Sequence, residues 1–111
     1  MDKALKAKWL EALRSGRYKQ GRYRLRNNGD EFCCLGVLCD ISGHGEWEHL
    51  PGKGYTYKRG EEDDDSGLPQ FMHDIVNMTC QQGYKLMGMN DDDWLSFPEI
   101  AEWIEENIKG E

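Results

Sequence analysis

The sequence predicts an α+β fold, in which a small antiparallel sheet, a hairpin plus one or more strands, packs with about four to five short helices. Three observations lead to this expectation. Apolar residues recur at helical spacing near both ends of the chain, an alternating segment follows the first stripe, and glycine-rich segments separate the patterned ones. A chain of 111 residues has the length of one domain, so we expect a single domain over residues 1–111.

The first helix is predicted to begin after Asp2 and to end at Gly16, because these residues are a typical N-cap and a typical helix stop. The residues between them form one apolar face: Leu5, Trp9, Ala12 and Leu13. A similar apolar stripe lies near the C-terminus, and each stripe must be buried against another element. We therefore expect the first and last helices to pack against each other.

The segment from Arg22 to Arg26 alternates charged and apolar residues, which is typical of a half-buried strand. Asn27–Asp30 has the composition of a turn and leads into Glu31–Cys33, so the pattern predicts a β-hairpin. Tyr23 and Leu25 would then share one face of the strand. The opposite face would hold a row of positive charges from Arg22, Arg24 and Arg26.

The middle of the chain predicts one helix and little other regular structure. Cys34–Ile41 is almost continuously apolar and ends at Ser42-Gly43, which predicts a short buried helix. Between His44 and Gly67 glycine and charged residues dominate, and His44 and His49 are expected to be exposed there. The same stretch contains a predicted strand, Gly54–Lys58, and a predicted solvated acidic loop, Glu61–Asp65.

Three more helices are predicted to close the chain. Pro69 is expected at the first helical position of one of them, and Thr79 and Ser96 begin capping boxes for the other two. The residues expected to face the core are Met72, Ile75, Val76, Leu86, Met87, Phe97, Ile100, Ala101, Ile104 and Ile108, with Trp103 at the margin of the last stripe.

The four cysteines do not have the paired spacing of a zinc site. Cys33, Cys34 and Cys39 lie in an apolar string, and we interpret them as reduced core residues. A metal site and redox chemistry are the alternatives, and neither has a motif to support it. No cofactor and no bound metal are expected.

Charge is distributed unevenly along the chain. Residues 1–26 hold nine of the 14 Lys and Arg but two of the 21 Asp and Glu, and the net charge of the whole chain is −7. The basic segment either binds an anion or pairs with the acidic remainder of the chain. The negative net charge argues against nonspecific nucleic-acid binding, which needs a basic surface.

Two strings of the sequence resemble a known group of proteins. One string runs from Ala12 to Gly21 and continues at Leu25-Arg26 and Phe32–Asp40, and the other comprises Met89–Asp91 and Ser96–Glu105. They are similar to an uncharacterised family of small accessory proteins common in tailed-phage, prophage and plasmid sequences. The resemblance leaves out residues 44–67. It implies a protein of a mobile element that acts on its host, and it transfers no catalytic residue to this chain.

The predicted hairpin and the helix after it would bring anion-binding groups together. A helix that begins near Cys34 offers free N–H groups, and the arginine-bearing strand would run beside it. We therefore expect a phage-type accessory protein, acting in immune evasion, that captures a small anionic ligand such as a nucleotide signal. The expected ligand-binding residues are Tyr18, Lys19, Gln20, Arg22, Arg24, Arg26 and Cys34.

The alternative is an acidic protein that binds and inhibits a host protein, with a surface that resembles nucleic acid. The acidic segments at Glu61–Asp65, Asp91–Asp93 and Glu102–Glu106 suggest it. No motif of an enzyme is present, so we expect no catalytic activity. The chain has no apolar run of about 20 residues and no signal-peptide pattern, so we expect a cytoplasmic protein that contacts no membrane. Self-association stays open.

Overall fold

The computed structural model describes residues 1–111 and confirms the α+β fold with a small antiparallel sheet. The five helices are α1 (Lys3–Ser15), α2 (Cys34–Ser42), α3 (Gln70–Val76), α4 (Cys80–Asp91) and α5 (Phe97–Asn107). The five strands are β1 (Lys19–Gln20), β2 (Glu31–Phe32), β3 (Glu46–Leu50), β4 (Gly54–Arg59) and β5 (Glu62–Asp64). None of the helices has the length and apolar character that crossing a membrane requires.

The sheet has two parts that meet at Arg26. β3, β4 and β5 form an antiparallel meander, in which Trp47 lies opposite Tyr57, while the short strands β1 and β2 pair in parallel. Isolated antiparallel bridges join Arg26 to Phe32 on one side and to Tyr55 on the other. Arg26 therefore connects the short parallel pair to the meander through its backbone.

The first and last helices pack together as expected. α1 begins at the Asp2 N-cap, whose carboxylate accepts a hydrogen bond from the Leu5 N–H, and it ends at Gly16 in the left-handed conformation. Trp9 and Ile104 are both fully buried, and α1 lies against α5 and α2. The Trp9 indole N–H also donates to the backbone carbonyl of Cys34 at 3.0 Å, which ties α1 to the start of α2.

Two of the three helices near the C-terminus, α4 and α5, begin where the sequence predicted. The capping boxes of Thr79 and Ser96 are both present. Pro69, however, is the N-cap of α3 and not its first helical residue. Ile75 was expected in the core, and this prediction is wrong, because its side chain is 38% exposed. Met72 and Val76 are buried as expected.

The predicted hairpin of Arg22–Arg26 does not form. Tyr23 has a positive φ of 69°, and a left-handed residue interrupts the alternation on which the prediction depended. Tyr23 is consequently exposed whereas Leu25 is fully buried, so the two side chains do not share a face. The turn at Asn27 is confirmed, because its side-chain oxygen accepts hydrogen bonds from the backbone N–H groups of Gly29 and Glu31.

The charged middle segment contains more strand than predicted. β3 was missed, and part of the acidic run predicted to be a loop is strand β5. β5 pairs with β4, where Asp63 lies opposite Lys58 and accepts a hydrogen bond from the buried Thr56 hydroxyl at 2.8 Å. His49 is exposed as expected, but it lies in strand β3 and not in a loop.

Helix α2 is the buried helix that the apolar string predicted. Cys33, Cys34 and Cys39 are free thiols in the core, as expected, whereas Cys80 is exposed. Burial raises the pKa of the Cys33 thiol to about 12 and those of Cys34 and Cys39 well above the ordinary value. These three thiols therefore stay protonated and unreactive at neutral pH.

Candidate functional site

The three arginines predicted to form one row have three separate partners. Arg24 makes an ion pair with Asp65 at 3.3 Å, and Arg26 makes one with Asp30 at 2.8 Å. The guanidinium of Arg22 instead lies over the indole ring of Trp94, 3.7 Å from the ring centroid. The predicted alignment of three positive charges on one strand face is therefore wrong, because no strand forms there.

Arg26 is part of an aromatic cluster that spans both parts of the sheet. Its guanidinium lies 3.9 Å from the centroid of the Tyr55 ring, 5.6 Å from that of Trp47 and 5.4 Å from that of Phe32. Three π faces and the Asp30 carboxylate surround this cation. We conclude that Arg26 stabilises the junction between the short parallel pair and the meander.

Tyr18 contributes to the same cluster through Asp40. One carboxylate oxygen of Asp40 accepts a hydrogen bond from the Tyr18 hydroxyl, and the other accepts one from the Trp47 indole N–H at 3.0 Å. Burial and this hydrogen bond raise the pKa of Tyr18 to about 12. Both oxygens of Asp40 thus hold aromatic rings in place, and Tyr18 keeps its proton at any physiological pH.

The N-terminus of α2 does not present the expected anion site. Its Cys34 N–H donates to the side-chain oxygen of Asn90 at 3.3 Å, and its Gly36 N–H donates to the Cys33 sulfur at 3.4 Å. Cys34 is fully buried, and Lys19 pairs with Glu31 at 3.6 Å. The backbone donors that were expected to meet a ligand are therefore already bonded inside the protein.

Asn90 is the centre of a buried polar network. Its side-chain oxygen accepts hydrogen bonds from the Gln20 side chain at 2.9 Å and from the Cys34 N–H, and its amide donates to the Gly21 carbonyl at 2.9 Å and to Asp91 at 2.8 Å. Asp91 in turn accepts the Tyr23 backbone N–H at 3.0 Å. Gln20, predicted to bind a ligand, is engaged in this network.

The network supports a surface that we call the aromatic patch, which consists of Arg22, Tyr23 and Trp94. Tyr23 is 62% and Trp94 67% exposed. Both have left-handed backbones, with φ values of 69° and 58°, a conformation that bulky residues rarely adopt. Arg22 makes no ion pair, and its Nε is the one buried side-chain nitrogen or oxygen in the chain without a hydrogen-bond partner.

The chain on either side of Trp94 is fixed. The Leu95 N–H donates to the Met89 carbonyl at 3.0 Å, and the Leu95 carbonyl accepts from the Gln20 side chain at 2.8 Å. These bonds hold the loop that follows α4, and the Asp91 bond holds Tyr23. The patch is therefore presented by two anchored loops, which lowers the entropy lost when a partner binds.

The sequence contained a partial signal for this surface. Met89–Asp91 belongs to the strings that carry the family resemblance, but nothing in the residue pattern pointed to a contact between Arg22 and Trp94. Trp94 follows three consecutive aspartates, which the charge pattern assigns to an acidic surface. A tryptophan in an acidic loop has no helical or strand face to bury it, and this is the sequence feature that indicates an exposed indole ring.

The two arginines that form ion pairs should differ in their contribution to stability. We expect Arg26→Ala to lower the free energy of unfolding by about 1–2 kcal/mol, because the cation loses its aromatic neighbours and Asp30 together. Arg24→Ala should cost less than about 1 kcal/mol, since its pair with Asp65 is half exposed. Urea unfolding of both variants measures the difference, and equal losses would contradict the structural role assigned to Arg26.

The comparisons with known proteins place the chain in a family. The family model of a domain of unknown function, DUF8296, matches residues 1–73. The chain belongs to the DUF8296 family. In this DUF8296 member the matched region contains α1, α2, all five strands and the start of α3, whereas Asn90 and Trp94 lie beyond it. The curated proteins offer no match to the chain, and neither do the solved structures.

Proposed function

We propose that this DUF8296 protein is a non-enzymatic binding protein that docks onto a host protein through its aromatic patch. The exposure of Tyr23 and Trp94 in left-handed conformations is the observation that supports this proposal most. A bulky exposed aromatic ring on a strained backbone costs stability, and such strain is typical of sites retained for binding. Trp, Tyr and Arg are also the residues most enriched at binding hot spots.

The charge around the patch indicates the chemistry of the partner surface. Asp92 and Asp93 are exposed between α4 and Trp94, and the chain has a net charge of −7. A basic surface with an apolar pocket for the indole ring would complement them, and opposite charges would speed the encounter. This arrangement favours the protein-binding alternative over capture of a free anion, since carboxylates next to the patch repel an anionic ligand.

The biological setting of the proposal comes from the sequence strings that resemble phage and prophage accessory proteins. In this setting the partner is a host protein, for example a component of an immune system that the accessory protein blocks. We propose that the encounter occurs in the host cytoplasm. The three buried free thiols suit a reducing compartment of this kind.

Capture of a small anionic ligand is the second candidate function, and Arg22 is the residue that supports it. Arg22 makes no ion pair, while Arg24 and Arg26 are already paired with carboxylates. A nucleotide would have to pair its phosphate with Arg22 and stack its base on Trp94 or Tyr23. This candidate therefore depends on one cation, where the sequence pattern had suggested three.

Removal of the exposed indole should weaken partner binding far more than removal of another exposed ring. Trp94→Ala is expected to weaken binding by about 30-fold or more, as for a typical hot-spot residue. Tyr84→Ala is the matched control, because Tyr84 is 72% exposed but lies near the start of α4, outside the patch. It should change binding by less than about threefold. A photo-crosslinking residue at position 23 identifies the partner in host cells, and calorimetry with the purified partner then measures the affinities.

Two results would count against docking through the patch. Crosslinks that form equally from positions 23 and 84 would show that the patch has no special partner. A melting temperature raised by nucleotides in the wild type but not in Arg22→Ala, at low and at high salt, would favour ligand capture instead. Circular dichroism of each variant shows whether the fold is retained.

A further inference from the structure

A second surface feature lies apart from the aromatic patch and does not depend on the proposed function. A cavity of about 380 Å³ opens between α3, α4 and the segment after β5. A thiol, Cys80, and an imidazole, His73, both line it. The cavity falls within the usual size range of small-molecule sites. None of its lining residues belongs to the patch.

Cys80 is the one exposed cysteine of the chain. It is the first residue of α4, and its thiol donates to the side-chain oxygen of Gln70 on α3 at 3.9 Å. The other three cysteines are buried, and burial raises their pKa values. Thiol chemistry of the folded protein is therefore expected at this cavity alone.

His73 has one free ring nitrogen. Its Nδ1 lies 2.7 Å from the backbone carbonyl of Met78. Since a carbonyl accepts hydrogen bonds and never donates them, Nδ1 holds the proton of the neutral ring. Nε2 makes no hydrogen bond and is free to accept a proton.

Residues of α3 and α4 face each other at the same three-residue spacing. Gln70 lies next to Cys80, and His73, three residues after Gln70, lies next to Gly83, three residues after Cys80. A Cβ at Gly83 would be 2.9 Å from Cε1 and 3.4 Å from Nε2 of His73. The open edge of the imidazole therefore rests at position 83 on the α4 face that contains the thiol, and Cys80 lies one helical turn before this position, about 5–6 Å away between Cβ positions.

We propose that Cys80 and His73 form a thiol-exchange site that accepts a small aliphatic disulfide, R–S–S–R. The Cys80 thiol gives its proton to Nε2 of His73 through one water molecule in the cavity, and its sulfur attacks the nearer sulfur of the disulfide. The S–S bond breaks, and the leaving thiolate takes the proton from Nε2. The products are the mixed disulfide Cys80–S–S–R and one free thiol R–SH, so Cys80 is oxidised while the departing sulfur is reduced.

The spacing of the two groups suits this reaction. During the exchange the sulfur under attack lies between two others, the attacking Sγ of Cys80 and the leaving sulfur of the probe. The leaving sulfur is therefore about 4 Å from Sγ. This distance brings it close to the imidazole nitrogen, which lies one helical turn away. A metal is not the ligand to expect here, because no group of three or more His, Cys, Asp or Glu side chains in the chain has a metal-binding arrangement.

The test uses bis(2-hydroxyethyl) disulfide, a neutral probe, with the folded full-length protein. Intact-mass spectrometry over time measures the rate of adduct formation, and peptide mapping finds the modified cysteine. His73→Asn keeps a donor for the Met78 carbonyl but removes the proton acceptor. A second variant, Cys80→Ser with Gln81→Cys, moves the thiol to the neighbouring exposed position on α4, outside the cavity.

We expect one adduct, on Cys80, formed at least about tenfold faster in the wild type than in either variant. The advantage over His73→Asn should disappear at a pH low enough to protonate imidazole. Asp64 and Tyr84, the other titratable groups that line the cavity, are present in both proteins. Equal rates in the wild type and the moved-thiol variant, or a pH-independent difference from His73→Asn, would overturn the proposal.

Discussion

Gly36→Ala is expected to prevent stable folding, with a loss of more than about 4 kcal/mol in the free energy of unfolding. Gly36 lies in the buried helix α2, and a Cβ there would fall far inside the contact distance of the Leu25 backbone carbonyl. Backbone atoms on both sides of this contact cannot rotate away, so the clash has no inexpensive relief. Thermal or urea unfolding, together with soluble yield, measures the effect.

Gly88→Ala is the matched control for this prediction. Gly88 also lies inside a helix, α4, but a Cβ there would meet nothing within 4 Å. Alanine should therefore stabilise the protein by about 0.5–1 kcal/mol through its higher helix propensity. If both glycine variants had similar stability, the close approach of α2 to Leu25 would be refuted.

Asn90→Ala is expected to lower the free energy of unfolding by about 3 kcal/mol or more. The change leaves the Cys34 N–H and the Gly21 carbonyl without their partner and removes one of the two acceptors of the Gln20 amide. A buried polar group without a partner costs about 1–3 kcal/mol. The side chain of Asn90 is fully buried, so water does not replace it easily. Chemical denaturation of the purified variant tests the expectation.

Asn107→Ala provides the comparison. Asn107 is exposed and makes one hydrogen bond, to the Trp103 carbonyl at 2.9 Å, so its loss should cost less than about 1 kcal/mol. An Asn90 variant as stable as the Asn107 variant would show that the network around Asn90 contributes little to the fold.

The helices could be predicted from the sequence because their signals are local. Asp2, Thr79 and Ser96 each lie within three residues of the N–H group that they cap. The apolar stripe of α5 likewise needed no information from the rest of the chain. Predictions from caps within one helical turn were therefore correct at these three helices, whereas α3 begins one residue later than predicted and leaves Ile75 exposed.

The hairpin prediction was wrong because a distant residue determines the local backbone. Tyr23 donates its N–H to Asp91, 68 positions away, and it adopts a left-handed conformation that alternation cannot indicate. β5 was missed for a related reason. Its acidic residues have low strand propensity, and the hydrogen bond from Thr56 on β4 to Asp63 is a contact that the sequence pattern does not show.

The candidate site was only partly predictable. Arg22 was named as a binding residue from its strand pattern, whereas the structure places it against Trp94, a residue 72 positions later. Arg24 and Arg26 were named with it, and their carboxylate partners show that uneven charge along the chain is partly compensated within the fold. Only the three-dimensional contacts distinguish Arg22, which has no ion pair, from Arg24 and Arg26, which each have one.

The position of Asn90 has a consequence for how this chain can change by recombination. The family match ends at residue 73, yet Gly21 and Cys34, both inside it, bond to a side chain 17 residues beyond its end. A recombination event that joined the matched region to an unrelated C-terminal segment would leave those buried groups unsatisfied. In this chain the two parts therefore depend on each other for stability, and the folded unit extends beyond the stretch that the family model matches.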